Sequence, residues 1–410
     1  MTTRSTAGIV KPKAFQASLE PRSVKQALNM PEWKVAMDLE YDAWMKNNTW
    51  ELVKLPPNRS AIRSRWVFRA KYNSDGPFQK YKTRLVAQGY AQRPGFDFTE
   101  TYSPVVKPTS IRIILSIALA NSWLIRQLDV NNAFLYGDLM EEVYMKQPQG
   151  FEQGDSSLPT KSDVSVFQSD LNGTKTFVLV YVDDIIVTGE SEDTIKQVIE
   201  QLNAKFALKD MGSLHYFLGI QVTNTSNGGL ILTQQKYIKE LMKKANMVGC
   251  TSCHTPLPST VKLSACGSAK FHDSALYMSI IGSLQYLTVT RPEISYSVHK
   301  LAQFIQSPLK SHWKMIKRVL RYLNGTFNHG LHLKKEGSMT ITAYSDSDWA
   351  EDPDDRKSTS GYCIFLGSNL VSWGSRKQTA VAKSSTETEY RSVADLVVEL
   401  IWVKNLLFEL

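Results

Sequence analysis

The sequence predicts an α+β protein with more than one compact part, and three observations carry that prediction. The run FVLVYVDDIIVTG, residues 177–189, reads as two buried strand arms around an acidic tip. Strand patterns of this kind are mixed with helical ones along the chain, which implies α+β architecture. From Ser338 a strand, a hairpin and a helix begin anew. At 410 residues the chain is long enough for two or three domains, each burying its own core.

Residues 1–30 are rich in Ser, Thr and Lys without clear periodicity, and read as a disordered lead-in with order beginning near Met30. In 31–50, Trp33, Ala36, Met37, Glu40, Ala43 and Trp44 recur at helical spacing behind Pro31, so one amphipathic helix is expected. The stretch RSRWVFRAKYNSDGPFQKYKTRLVAQGY reads as two strands around an Asn73-Ser74-Asp75-Gly76 turn. Its basic residues alternate against Trp66, Phe68, Tyr72, Tyr81 and Leu85, which gives a twisted hairpin with one positive face.

A helix entered through Pro108-Thr109-Ser110 and a strand LIRQLDV follow, and then a loop, NNAFLYGDLMEEVYMKQPQGF. Beyond Gly189 come a helix with Ser191 as N-cap, a hairpin begun by HYFLGIQV that leads into a helix, and a mostly helical stretch over 275–325. The last part has a strand MTITAYSDSDW, a hairpin GYCIFLGSNLVSWGS and a helix from Ser385 with Val393, Leu396, Val397, Leu400 and Ile401 on one face. The domain boundary falls near 330–338, and no internal repeat is apparent.

Composition narrows the function. Lys and Arg number 48 against 39 acidic residues, a formal charge of +9, which favours a polyanionic partner. Residues 51–112 hold 12 basic and 4 acidic residues, so this one segment accounts for nearly all of the excess. No apolar run reaches the ~18 residues of a membrane span, and the N-terminus lacks the apolar core of a secretory signal. Four cysteines are too few for a disulfide scaffold, so a reducing, intracellular compartment is expected. The stretch CTSCH, 250–254, matches a haem-attachment pattern, and Cys250, Cys253, Cys266 and His272 can be drawn as a zinc site. The export context that the first needs is absent, and the second has no familiar spacing, so both are set aside.

The acidic tip carries the chemistry. Successive side chains of an extended strand point to opposite faces, so Asp183 and Asp184 fit only where the strand turns. Desolvated and unpaired they would repel each other, and a divalent cation reverses that sign. Hard oxygen ligands suit Mg²⁺, which binds one or two carboxylates together with substrate phosphates. A third carboxylate would permit two-metal phosphoryl transfer. Asp129, which ends the strand LIRQLD, is the best candidate. Two plainer readings stand beside this: Asp183-Asp184 as an ordinary hairpin turn, and Asp129 as the cap of a following helix.

Taken together, the blocks NNTWELVKLP, RSRWVFRAKYNSDG, YKTRLVAQGYAQRPGFDFTETYSPVVKPTSIR, QLDVNNAFLYGDLMEEVYMKQPQGF, YVDDIIVTG, GSLHYFLGIQV, YSDSDWAEDPDDRKSTSGY and SSTETEY resemble the reverse transcriptase region of copia-type long-terminal-repeat retrotransposon polyproteins. The resemblance implies a right-hand polymerase: fingers and palm over 31–245, thumb- or connection-like helices over 246–337, and a partial ribonuclease H-like domain over 338–410. It implies Asp129, Asp183 and Asp184 as catalytic residues and ligands of two Mg²⁺, with Mn²⁺ able to replace them. Phe134 looks like the aromatic gate beneath the incoming sugar. Tyr181, Lys80, Lys82 and Arg84 look like further substrate-binding residues, and HYFLGIQV looks like the hairpin that positions the primer end. The partners implied are an RNA template, a DNA primer, dNTP and other segments of the polyprotein, with no membrane; the compartment implied is a cytoplasmic virus-like particle or the nucleus.

In the C-terminal part Asp346 matches the first-strand ligand of a ribonuclease H and Glu389 the ligand at the head of its first helix. Asp348 competes with Asp346, and Glu389 also fits a capping box. The later acidic ligands of that pattern lie beyond Leu410, so no hydrolytic activity is expected. A second departure is larger. Family members carry a segment of the kind LYGLKQAPRAW between QPQGF and the YVDD strand, and the palm is incomplete near 152–176 without it. Two functions of different class follow: a working RNA-directed DNA polymerase with a compact palm, or a degenerate copy that keeps its acids and at most binds nucleic acid through its basic surface. The missing support favours the second for this copy.

Overall fold

The computed structural model describes residues 20–46, 63–72, 78–87, 106–130, 166–171, 174–206, 208–258 and 260–410. The chain divides into two compact units, one of Met1–Tyr102 with Asn132–Asp163 and the other of Ser103–Asn131 with Val164–Leu410.

The first unit contains helices α1 (Val24–Leu28) and α2 (Pro31–Lys46) and a hairpin of β1 (Ser64–Tyr72) and β2 (Phe78–Ala87). Pro31 opens α2, where its missing N–H has no helical partner to lose. Helix α1 lies within 1–30, which corrects the expected lead-in over its described part. Ser23 caps α1 by accepting from the Gln26 N–H, Ala27 is fully buried, and Glu20 accepts from Arg69 and from the Ala70 N–H. A five-residue helix is too short to show periodicity, and its cap and tertiary contacts hold it instead.

The antiparallel register sets Trp66 opposite Leu85 and Phe68 opposite Thr83. Trp66, Phe68 and Leu85 therefore share one face, buried with Trp33, Met37 and Tyr41 of α2. The other face sets Arg69 opposite Lys82 and Lys71 opposite Lys80. The turn over 73–76 lies outside the described residues.

The second unit is built on a five-stranded antiparallel sheet in the order β4-β5-β6-β3-β7, with β3 (Leu124–Val130), β4 (Val166–Leu171), β5 (Thr174–Tyr181), β6 (Asp184–Gly189) and β7 (Leu208–Ser213). A four-stranded sheet runs β11-β10-β9-β8, from β8 (Tyr216–Phe217), β9 (Ile220–Asn224), β10 (Leu230–Thr233) and β11 (Leu331–Leu333). Helix α3 (Pro108–Ala120) lies between layers. Its Ile114, Leu115 and Leu119 join Phe177, Leu179 and Ile186 of the first sheet and Phe217, Val222 and Leu333 of the second in one core. Its opposite side, through Ile113, meets Ile364, Leu366, Val371, Leu396 and Val403. Each such side chain contributes roughly 1.5–3 kcal/mol by leaving water.

Those last residues belong to the C-terminal sheet β12-β13-β14 (Ile341–Ser347, Thr359–Leu366, Asn369–Lys377) and to helix α9 (Ser385–Glu409). Arg112 of α3 fastens the two layers. Its guanidinium donates to the Val371 carbonyl at 2.7 Å and to the Val289 carbonyl at 3.0 Å, and lies 3.9 Å from the centre of the Trp373 ring. On α9 the expected apolar face is corrected: Leu396 and Val403 are buried, whereas Val393, Val397 and Ile401 are exposed. Apolar residues occupy more than one side of this helix, so spacing alone did not identify the packed side.

Helix α4 (Glu192–Lys205), capped by Ser191 as expected, packs on β5 and β6, and α5 (Gln235–Lys244) follows β10. Helices α6 (Ser274–Leu287), α7 (Ser295–Ala302) and α8 (Lys310–Gly325) share a core of Ile280, Leu284, Leu301, Ile316 and Leu320 with α5.

Candidate active site

Antiparallel register across the first sheet places four residues in one row: Lys209 on β7, Asp129 on β3, Asp184 on β6 and Tyr181 on β5. Directly paired residues share a face, so Asp129 and Asp184 project together at the end of the sheet. Val182 and Asp183 form the two-residue turn between β5 and β6, and Val182 takes φ +57°. A β-branched residue in the left-handed region is costly, and such strain is characteristic of functional turns. The Val130 N–H donates to the Asp183 carbonyl at 2.7 Å, which ties the end of β3 to the tip.

The electrostatics follow from this crowding. The Asp184 carboxyl is pushed up from 3.8 to about 6, first by burial and then by the charges of Asp183 and Asp129. Hydrogen bonds from the Gln127 side chain and the Leu218 backbone oppose that rise. Three hard carboxylates whose repulsion a cation would relieve fit Mg²⁺ in donor chemistry. Among the described residues, however, no group of three or more His, Cys, Asp or Glu side chains is placed so that it could hold a metal ion.

Of the other residues marked by the sequence, Lys80, Lys82 and Arg84 stand in the first unit on the basic face of the hairpin, with Arg84 opposite Val67. Phe134 and residues 152–165 of the segment expected to be incomplete, 152–176, lie outside the described residues; within that segment 166–171 form β4 and 174–176 begin β5. Asp346 is exposed on β12 and Glu389 is exposed in the first turns of α9. The Ser392 hydroxyl donates to the Asp346 carbonyl at 2.9 Å and joins those two elements. Asp348 spends its carboxylate on the Thr359 N–H at 3.0 Å. The capping role falls to Glu387, which accepts from the Lys383 N–H at 2.8 Å below the N-cap Ser384, so Glu389 is not the cap. The cysteines are all free, and the Cys253 thiol donates to the Thr255 and Arg318 carbonyls.

Residues that the sequence did not mark also reach this site. Lys209 stands beside Asp129 in the row, Gln127 touches Asp184, and Tyr286 of α6 donates to the Leu218 carbonyl. Lys209 was hidden in a segment, LKDMGS, without strand alternation. Gln127 and Tyr286 act through contacts distant in the chain, which no local pattern announces.

With that geometry in place, comparison with known proteins defines the class. Residues 47–168 and 159–259 match the family described as reverse transcriptase (RNA-dependent DNA polymerase), and the chain belongs to that family. Over its whole length it is 44% identical to the retrovirus-related Pol polyprotein from transposon RE1 and 43% identical to that from transposon RE2, both of Arabidopsis thaliana. It is 35% identical, over 95% of its length, to the Pol polyprotein from transposon TNT 1-94 of Nicotiana tabacum. The chain spans 31% of the RE1 and RE2 polyproteins and 33% of the tobacco one.

Proposed function

We propose that this chain is the RNA-directed DNA polymerase part of a retrotransposon polyprotein, transferring nucleotides from dNTP to a primer 3′-hydroxyl on an RNA or DNA template. The observation that carries the reading is the pairing of Asp129 with Asp184 beside the Asp183 tip. Asp129, Asp183 and Asp184 would hold Mg²⁺, or Mn²⁺ in its place. When bound, such ions would supply the lowering of the primer hydroxyl's pKa and the neutralisation of charge on the triphosphate. The protein's own part is placement. Tyr181, next to Asp184 in the row, offers a wall against which the substrate is held.

The density of basic residues on this face, with Lys71 set opposite Lys80, supports a phosphate surface on which Lys80, Lys82 and Arg84 contact triphosphate or template. Phe134 is assigned to sugar discrimination by family resemblance. Asp346 and Glu389 supply two carboxylates of a ribonuclease H-like site, which no third acid joins among the described residues.

Polymerase activity of this copy is expected to be impaired. The family match falls in two pieces that meet at 159–168, and the alignments to RE1 and RE2 run over 451 positions for 410 residues. The first supports a lost palm segment near 152–176, and the second supports residues in those relatives that this chain lacks. Primer extension on poly(rA)/oligo(dT) with Mg²⁺, against an Asp183→Asn control, tests the reading. Template-dependent synthesis well above the control establishes the polymerase and overturns the impairment. Equality with the control, at any Mg²⁺ or Mn²⁺ concentration, leaves a basic nucleic-acid-binding remnant.

A further inference from the structure

Two strained tips meet at Asp184. One is the Val182-Asp183 turn; the other is Leu218-Gly219, the two-residue turn of the β8–β9 hairpin, with φ +50° and +73°. Positive φ at both positions is the geometry a tight hairpin needs, and leucine is a poor residue for it. External contacts hold it there. The Leu218 N–H donates to the Asp184 carboxylate, and the Leu218 carbonyl accepts from the Tyr286 hydroxyl. A methyl group at Gly219 would stand 3.2 Å from that same hydroxyl, so the turn and Tyr286 are in close contact.

Gln127 reaches the same hairpin from the palm strand β3. Its amide nitrogen donates to the Tyr216 carbonyl at 2.7 Å and its amide oxygen accepts from the Tyr216 N–H at 3.4 Å, so the side chain pairs with Tyr216 as a neighbouring strand would. It is 4% exposed and also donates to the Asp184 carboxylate. A primary amide has two donor hydrogens and an acceptor oxygen, and all three functions are used. Glutamate of the same shape has no donor, and leucine has neither donor nor acceptor.

We infer that Gln127 is a positioning residue that joins the Asp184 carboxylate to the backbone of the β8–β9 hairpin, with Tyr286 bracing the hairpin tip from α6, so that acid and hairpin move as one piece. This rests on the polymerase reading, in which Asp184 binds metal and the hairpin carries the primer end. Neither residue touches the reacting atoms. Their role is to fix the distance between two parts that do.

The test uses the full chain with Gln127→Leu, Gln127→Glu and Tyr286→Phe, and two readouts. Amide hydrogen exchange over residues 216–220 is expected to quicken roughly tenfold in each variant, the loss of about one hydrogen bond, while the C-terminal sheet exchanges at its usual rate. Single-turnover incorporation on a primed template is expected to fall by at least tenfold with the KM for dNTP unchanged within about twofold, because the primer end is misplaced and not the nucleotide. If Gln127→Leu does not fold, Tyr286→Phe, which keeps its ring, carries both measurements. Exchange at the parental rate in the folded variants overturns the coupling. If the parent itself extends no primer, the polymerase reading fails for this chain, and the exchange result alone decides whether Gln127 and Tyr286 hold the hairpin.

Discussion

Replacing Asp184 by Asn should stabilise the protein at neutral pH when no divalent ion is present. The carboxyl titrates near 6 in the folded chain against 3.8 ordinarily, because burial and the charges of Asp183 and Asp129 disfavour its ionised form. Its folded value is raised, so its contribution to stability is full below 3.8 and is lost as the pH climbs through about 6. At pH 7.5 the full difference corresponds to ~3 kcal/mol, and solvent access to the half-buried group cuts this to about 1–2 kcal/mol. Asparagine keeps an oxygen for the Leu218 and Gln127 donors, so the repulsion goes while the hydrogen bonds stay. Urea denaturation at pH 4 and pH 7.5 measures this. The variant should gain about 1–2 kcal/mol over the parent at pH 7.5 and almost nothing at pH 4, and Mg²⁺ at pH 7.5 should stabilise the parent but not the variant. A variant less stable than the parent at pH 7.5, or an equal gain at both pH values, would refute the acidic crowding.

Three further predictions come from other parts of the molecule. Arg112→Met keeps the volume of the side chain but leaves the Val371 and Val289 carbonyls unpaired and removes the stack on Trp373, so a loss of about 2–4 kcal/mol in urea denaturation is expected. Asp352 is buried between Lys300 and Lys377; burial raises its carboxyl, but the Lys377 hydrogen bond and the lysine charges outweigh it and hold it below 3.8. The stabilising contribution of Asp352 is present above that value and is lost as the pH falls through the folded one. Asp352→Asn should cost about 3 kcal/mol at pH 7, with a much smaller cost near pH 2, by the same denaturation measurement. Lys71→Ala and Lys82→Ala should each lower the slope of log affinity against log salt by about 1 in fluorescence anisotropy with a primed template, with little change in the fold.

The β5–β6 hairpin was legible because two signals coincide there: period-2 apolar residues in both arms and an acidic pair that only a turn can accommodate. Pro31, Pro108 and Ser191 placed the starts of three helices for local reasons, a fixed φ or a hydroxyl that meets an orphan N–H. Strands β4 and β7 were not anticipated. VFQSDL and LKDMGS lack alternation and are strands because neighbouring strands offer them hydrogen bonds. The same limit applies to the site. Asp129 was readable as the acid at a strand end, whereas its neighbour Lys209 and the Gln127–Tyr216 pairing depend on register between segments about 80 to 90 residues apart. The competition between Asp346 and Asp348 also needed coordinates, since only a three-dimensional contact shows that Asp348 is occupied by the Thr359 amide.

Helix α3 has apolar neighbours on both sides. A laboratory seeking a minimal catalytic fragment would be tempted to cut the gene just after the helical region. That cut would expose Ile113 to water and strip the Arg112 guanidinium of its Val371 and Trp373 contacts, and the product would tend to clump. Expression plans should therefore retain the tail as scaffolding, whether or not it ever cleaves RNA.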